Sequence, residues 1–324
     1  MTSSLLHASR LYAANGSTSR QVKFLLRSAT HWTTAARWLG FLQAQPELAA
    51  AMASQPQWLH KLQRPYLCKA FGAQRKLMAL QDHFSLFLWR FPSQLRQTLL
   101  TESKVEIARV VGKSGAAYRV MLSLTHTMDK EGELMLSLLA EEGDDRLTTL
   151  AFSFVRSESG RYEAVLGCLQ GPASRDGRER FREMTKDLHG LMPKALMMRA
   201  LYALCRKVGV LDVLAVSNAG HVHNSRWRRY HAISADYDAF WESLGGAPAN
   251  DFFWRLSAFA PQRDLADVPS RKRAQYQRRQ KLETELEDSV SAFWQGCAGE
   301  GAQVRSSLAE EAHAAATVIS PVVA

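Results

Sequence analysis

The chain has 324 residues, a hydrophobic share of 46% and a formal net charge of +10. That share supplies a sizeable core and excludes a globally disordered chain, and the length suits one large domain or two ordinary ones. The positive charge favours anionic partners such as nucleic acid, acidic lipid headgroups or phosphorylated small molecules, or else describes a solvated surface that is simply basic.

Residues 1–20 read as a flexible N-terminus. Met1–Ser28 carries Arg10, Arg20, Lys23 and Arg27 and lacks the apolar run of a signal peptide. No stretch of about 18 apolar residues occurs, so no transmembrane helix is expected and the default compartment is the cytoplasm. Residues 21–100 form a helical section. His31–Leu42 spaces Trp32, Ala35, Ala36, Leu39 and Leu42 as a helix does. Pro46, Pro56 and Pro65 punctuate short helices, and Arg75–Phe91 carries Leu77, Leu80, Phe84, Phe87 and Leu88 on one face until Pro92.

From about Val105 the period changes to two. Alternating runs at Val120–Leu124, Leu134–Leu138, Leu150–Phe154 and Tyr162–Cys168 are separated by Gly132, Gly143–Asp145 and Ser157–Gly160. This predicts a four-stranded antiparallel meander. Arg161–Gln170 then leads through Gly171-Pro172-Ala173-Ser174 into two helices and a strand at Val210–Val216. Ser174 suits an N-cap, Gly190 and Gly209 suit helix ends, and Pro193 suits a helix start. Such a crossover makes its two strands parallel neighbours, and ligands favour their carboxyl ends. A short helix is expected at Asp236–Trp241, a short strand at Phe252–Trp254 and a last helix over Arg271–Trp294 with Leu282, Leu286, Val290 and Phe293 inward. The predicted fold is α+β: the helical section over 21–100, then a core over 101–296 with a mostly antiparallel sheet and one strand–helix–helix–strand crossover. Residues 297–324 read as a disordered tail.

Cys68, Cys168, Cys205 and Cys297 are scattered, with no C-x-x-C and no close Cys/His pair, which argues against a disulfide scaffold or structural zinc. Four features could carry chemistry. The turn at Gln170 and Gly171, with Arg175 or Arg178, could hold a phosphate at a helix N-terminus, although Pro172 removes one donor and no P-loop or dinucleotide fingerprint is present. Asn218, His221 and Asp236 are candidates for acid/base work. His221 and His223 would share a strand face, and the choice lies between structural histidines and metal ligands, with no metal expected. Arg226, Arg228 and Arg229 around Trp227 could bind anions, as could Arg271, Lys272 and Arg273, which sit unfavourably at a helix N-terminus. The alternative for the last group is pairing with Asp264 and Asp267.

Seven segments resemble landmarks of the VirK/YbjX family of bacterial proteins. They are 64–67 (RPYL), 150–154 (LAFSF), 169–172 (LQGP), 188–193 (LHGLMP), 216–222 (VSNAGHV), 235–241 (ADYDAFW) and 269–276 (PSRKRAQY). One departure is His223, where many relatives carry tyrosine. The resemblance spans about residues 20–290. It implies a cytoplasmic factor, peripheral to the inner membrane, in Gram-negative envelope homeostasis, stress response, cationic peptide resistance or virulence, acting by binding an anionic partner. It supplies no catalytic residues. The alternative is an acyltransferase using coenzyme A or acyl-CoA, because a meander followed by such a crossover is the order of elements in GNAT acetyltransferases, where the turn receives the pyrophosphate. The glycine-rich turn of those enzymes is absent, and that analogy rests on topology. Specific nucleic-acid binding is not expected, since no recognised module is present.

Overall fold

The computed structural model describes residues 31–101, 104–141, 146–172, 177–224, 236–259 and 264–298. The expected flexible N-terminus, Ser174, Arg175, the 226–230 cluster and nearly all of the C-terminal tail lie outside these residues.

The helical section comprises α1 (Trp32–Ala44), α2 (Pro46–Ala51), a 3-10 segment (Pro56–Gln63), α3 (Ala73–Arg90) and α4 (Ser93–Thr101). Pro46 and Pro56 each open a helix, where a missing N–H costs nothing. The sheet follows: β1 (Val105–Val111), β2 (Ala117–Leu124), β3 (Leu134–Ala140), β4 (Arg146–Arg156) and β5 (Tyr162–Gln170) form an antiparallel meander. It has five strands where the alternation predicts four. Val105–Val111 is the extra one, with buried and exposed positions that break alternation near a register shift at Glu106/Ala108.

The crossover runs through α5 (Gly177–Asp187) and α6 (Pro193–Val208) to β6 (Asp212–Val216). Pro193 opens α6, and Gly209 closes it in the left-handed conformation (φ 75°) that glycine alone adopts without strain. β5 and β6 pair in parallel, from Glu163↔Asp212 to Leu166↔Ala215. After α7 (Tyr237–Ser243) come β7 (Ala247–Asn250) and β8 (Phe253–Ser257), and α8 (Ser270–Ala298) ends the described chain. The sheet order is β1-β2-β3-β4-β5-β6-β8-β7, so β8 lies between β6 and β7. The fold is α+β, as the pattern predicts. β7, with its proline and four exposed residues, carries no apolar signal and is absent from the sequence reading.

Nine consecutive residues of β4 are buried. Because successive side chains point to opposite faces, both faces of the strand are covered. α3 and α6 both pack on β4, and α8 packs on β1 and α6. Leu282, Leu286 and Val290 of α8 are buried as predicted. The helix continues past Trp294 to Ala298.

The link between β2 and β3, residues 125–133, lies flat on the sheet. A Cβ on Gly132 would stand 2.5 Å from the Phe152 nitrogen, and one on Gly167 would stand 2.0 Å from the Glu131 carbonyl oxygen. Only glycine fits at either position. A buried ion pair fastens this link to the helical section: Lys61 Nζ is 2.8 Å from Glu133 Oε1, and both side chains are almost wholly excluded from solvent. Lys61 also donates to the carbonyls of Asp129 and Gly132. Burial pushes the Glu133 carboxyl up, against the lowering effect of Lys61.

Removing one partner of a buried pair strands the other charge. Lys61→Met should destabilise the protein by about 3–5 kcal/mol in denaturant unfolding, and Lys61→Met/Glu133→Leu should recover most of that loss. Equal losses in the single and double variants would show that the pair is not what fixes the link.

Candidate functional site

β5 carries a bulge. Ala151 faces Cys168 while Phe152 faces Leu166, so Gly167 is left out of the ladder. Beyond Leu166/Ala215 the parallel pairing stops: β5 continues to Gln170, whereas β6 ends at Val216. The two carboxyl ends diverge, and α7 closes the gap between them. Tyr237 Oη accepts the Leu169 N–H at 3.3 Å, and Trp241 Nε1 donates to the Val216 carbonyl at 2.9 Å. Both rings are buried and stacked on one another.

His221 stacks on Tyr237 with ring centres 5.2 Å apart. It sits in a turn after β6 rather than on a strand, since the chain leaves the sheet at Val216. The His223 ring still lies 5.5 Å from it. His221 is 1% exposed, and burial draws its pKa down to about 4, with Glu131 opposing and His223 assisting. His221 Nδ1 accepts the His223 backbone N–H at 3.2 Å. A neutral imidazole accepting at Nδ1 carries its proton on Nε2. That Nε2 is buried and meets no hydrogen-bond partner among the described residues. Glu131 Oε1 lies 2.6 Å from His223 Nε2. Burial raises the Glu131 carboxyl, but the hydrogen bond and charge of His223 outweigh this and hold it below the ordinary range. Among the described residues no three His, Cys, Asp or Glu side chains converge on a metal position.

Asn218 and Asp236 meet beside this cluster, committed to local structure. Asn218 Nδ2 donates to Asp236 Oδ1 at 2.9 Å, and Asn218 Oδ1 accepts the Tyr237 N–H at 2.8 Å. Asp236 also caps α7 through the Ala239 N–H.

A cavity of about 860 Å³ opens at the turn after β5. Gly171, Pro172 and Gly177 line it together with Arg178, Arg182, Lys186 and Lys194, and no carboxylate lines it among the described residues. Lys194, half-buried with its pKa lowered by desolvation, holds its ammonium 5.6 Å from the Phe240 ring. Of the residues picked from the sequence, Gly171 and Arg178 meet here. Gln170 ends β5 just before the cavity, and Arg175 lies outside the described residues. Arg182, Lys186 and Lys194 are absent from the sequence reading. The signal for Arg182 and Lys186 is the four-residue spacing from Arg178 along α5, which reads equally well as a solvated face; Lys194, on α6, has no such signal.

Arg226, Arg228 and Arg229 lie outside the described residues. Arg271, Lys272 and Arg273 stand at the start of α8, away from the β5 turn. The proposed pairing with Asp264 and Asp267 does not form: Arg273 donates to the Val268 and Ala266 carbonyls, and Asp264 caps Ala266. Those aspartates instead shape the turn that leads into the helix. Cys68, Cys168 and Cys205 are buried free thiols, and burial raises each pKa.

Fold and site together define an α+β protein with a cation-lined cavity at the mouth of a parallel strand pair. The chain belongs to the VirK/YbjX family: the model described as "Protein of unknown function (DUF535)" matches residues 14–292. It is 30% identical over 276 residues to "Uncharacterized protein YbjX" of Escherichia coli (strain K12), covering 85% of this chain and 83% of that one. It is 25% identical over 214 residues to "Membrane protein LapB" of Mannheimia haemolytica, covering 64% of this chain and 89% of that one. Among solved structures, a mutant of the cAMP-binding acyltransferase from Mycobacterium smegmatis aligns over 68% of this chain and 65% of its own, at 13% identity and a TM-score of 0.30, a likeness too low to assign fold or function. Among the described residues no helix is long and apolar enough to cross a membrane.

His221 gives the site a pH signature. The folded chain favours its neutral form, so its contribution to stability is complete above about pH 6.5 and is lost as pH falls toward 4. The loss should approach about 3 kcal/mol. His221→Gln should reduce that part of the pH–stability curve to the share carried by His60 and His83, whose pKa values burial lowers to about 4 and about 3. An unchanged curve would show that His221 does not sense the site.

Proposed function

We propose that the chain binds the phosphate end of a coenzyme A-type acyl carrier in the cavity after β5 and acts as an acyltransferase. The observation that carries this reading is the cavity wall: four cations and, among the described residues, no carboxylate, at the carboxyl end of the strand that parts from its parallel neighbour. Multiply charged phosphates suit such a wall, and sheets with parallel pairs bind ligands at this end. Pro172 leaves the turn one backbone donor short, so side chains would do most of the holding. Arg178, Arg182 and Lys194 would take the phosphates, with Gly171 allowing close approach. The order of elements supports the reading as an analogy with GNAT acetyltransferases.

When bound, the carrier would supply an acyl thioester, whose C–S bond breaks as a C–N or C–O bond forms on the acceptor and the acceptor's proton ends on sulfur. His221 offers a buried Nε2–H with no acceptor among the described residues, the type of donor that stabilises a carbonyl oxygen as it gains charge. Tyr237 would have to yield the Leu169 N–H for the pocket between the strands to open.

Titration calorimetry with coenzyme A and acetyl-CoA tests this. We expect binding that weakens with salt and about tenfold losses of affinity in Arg178→Gln and Lys194→Gln. At about 100 times the dissociation constant, the ligand should add roughly 2.7 kcal/mol to stability. Absence of binding at millimolar ligand, or equal binding by both variants, would sink the reading.

A second reading is an accessory factor in Gram-negative envelope homeostasis, stress response or virulence that holds an anionic membrane. The exposed Arg271, Lys272, Arg273 and Arg278 at the start of α8 favour it, as does the name of the relative from Mannheimia haemolytica. Under it, phosphatidylglycerol vesicles should sediment the protein, and Arg271→Gln/Arg278→Gln should release it.

A further inference from the structure

We propose that the cavity enclosed by α6, α8 and the turn before α8 is a second small-molecule site, and that it takes an organic monoanion: a carboxylate on an apolar body. It measures about 610 Å³, within the range of small-molecule pockets. The start of α6 separates it from the cationic cavity after β5. Met192 borders both, Lys194 lines that cavity, and Ala195, Met198, Arg199 and Tyr202 line this one. Their spacing of three, four and seven residues puts these four on one stripe of α6. Two segments that mark the family resemblance, 188–193 and 269–276, meet in its wall. The acyl-carrier reading leaves this cavity unused.

The first observation is Tyr202. It lies in the cavity wall at 4% exposure, and its hydroxyl makes no hydrogen bond with any described residue. The hydroxyl is not among the buried unpartnered side-chain atoms, so it opens on the cavity, where it can donate to an acceptor that a ligand brings.

The second is charge. Arg199, Lys272 and Arg279 face Asp267 and Glu283 in the lining, which leaves one positive charge in excess. Glu283 is 7% exposed and fully engaged: Arg199 Nη2 stands 2.8 Å from one oxygen and Arg279 Nε 3.0 Å from the other. Glu287, which Arg199 approaches at 4.0 Å, is held by Arg206 at 2.7 Å. The arginines are thus fixed in place with N–H groups to spare, and the Lys272 ammonium meets no carboxylate among the described residues. One excess charge matches a monoanion. A phosphate dianion would leave negative charge uncompensated in a half-enclosed space.

The third is the remainder of the wall, where Met192, Ala195, Met198, Leu244 and Val268 supply an apolar surface. An ion with no apolar body would leave that surface wet, whereas a carboxylate with a short chain or ring would cover it.

Isothermal titration with sodium octanoate at neutral pH tests the site, with 1-octanol and inorganic phosphate as controls. We expect octanoate to bind, both controls to bind at least tenfold more weakly, and Tyr202→Phe and Lys272→Met each to weaken octanoate about tenfold. Tyr202→Phe removes a single unpartnered oxygen, so its melting temperature without ligand should equal or exceed the parent's, which shows that lost binding is not lost folding. Arg178→Gln and Lys194→Gln should leave octanoate binding unchanged, so failure of the acyl-carrier reading and failure of this one are separable. Absence of octanoate binding at millimolar concentration, equal binding by octanol, or full binding by both Tyr202→Phe and Lys272→Met would overturn the proposal.

Discussion

The structure turns on the close approach of residues 125–133 to the β4–β5 bulge. Two glycines make the approach possible, and the Lys61–Glu133 pair holds it from the other side. Bringing two charges out of water is expensive unless they meet each other and their remaining hydrogen-bonding groups are satisfied. Here the ammonium also serves two carbonyls of the link, so one lysine from the helical section fixes the backbone around Glu131. Leu67 N–H donates to the Lys130 carbonyl and Lys69 N–H to the Gly220 carbonyl, which extends the same clamp to the turn after β6. Glu131, His223 and His221 therefore hold their places because the helical section is docked, although none of them belongs to it.

The charge pattern of the final helix takes on meaning against α6. As a bare sequence, α8 is basic and then acidic, an arrangement that opposes the helix dipole. Once α6 lies alongside, the acidic middle has partners: Glu283 meets Arg199, and Glu287 meets Arg206. The unfavourable order of charges along one helix becomes a favourable match between two, and it orients α8 across the sheet. The basic start is left facing a turn and a cavity instead of a carboxylate cluster. The net charge of +10 is accordingly uneven, with one concentration after β5 and another at the start of α8.

The site was partly legible in advance. The strand–turn–helix–helix–strand join, the parallel pair and the carboxyl-end location follow from punctuation by Pro193, Gly190 and Gly209 and from two apolar stripes. Gly171 and Arg178 follow with them. Lys194 did not, because a lone lysine one residue into a helix reads as solvated until Phe240 arrives from a later element to half-bury it. Glu131 and Glu133 were invisible for the same reason. In sequence they are two polar residues in a turn, and their burial depends on Lys61 and His223, which lie some 70 and 90 residues away in the chain.

Local patterning determined the elements and their order, since propensity, period and turn chemistry act over a few residues: the helical section, the meander, the crossover and the last helix. The seven matched segments determined the family. The tertiary structure alone decided that β8 enters the sheet between β6 and β7, that His221 is buried as a neutral ring, that Tyr202 faces a cavity, and which cations gather after β5. These are properties of side chains brought together from distant positions and stripped of water, and the cost of desolvation is set by neighbours that no local window contains.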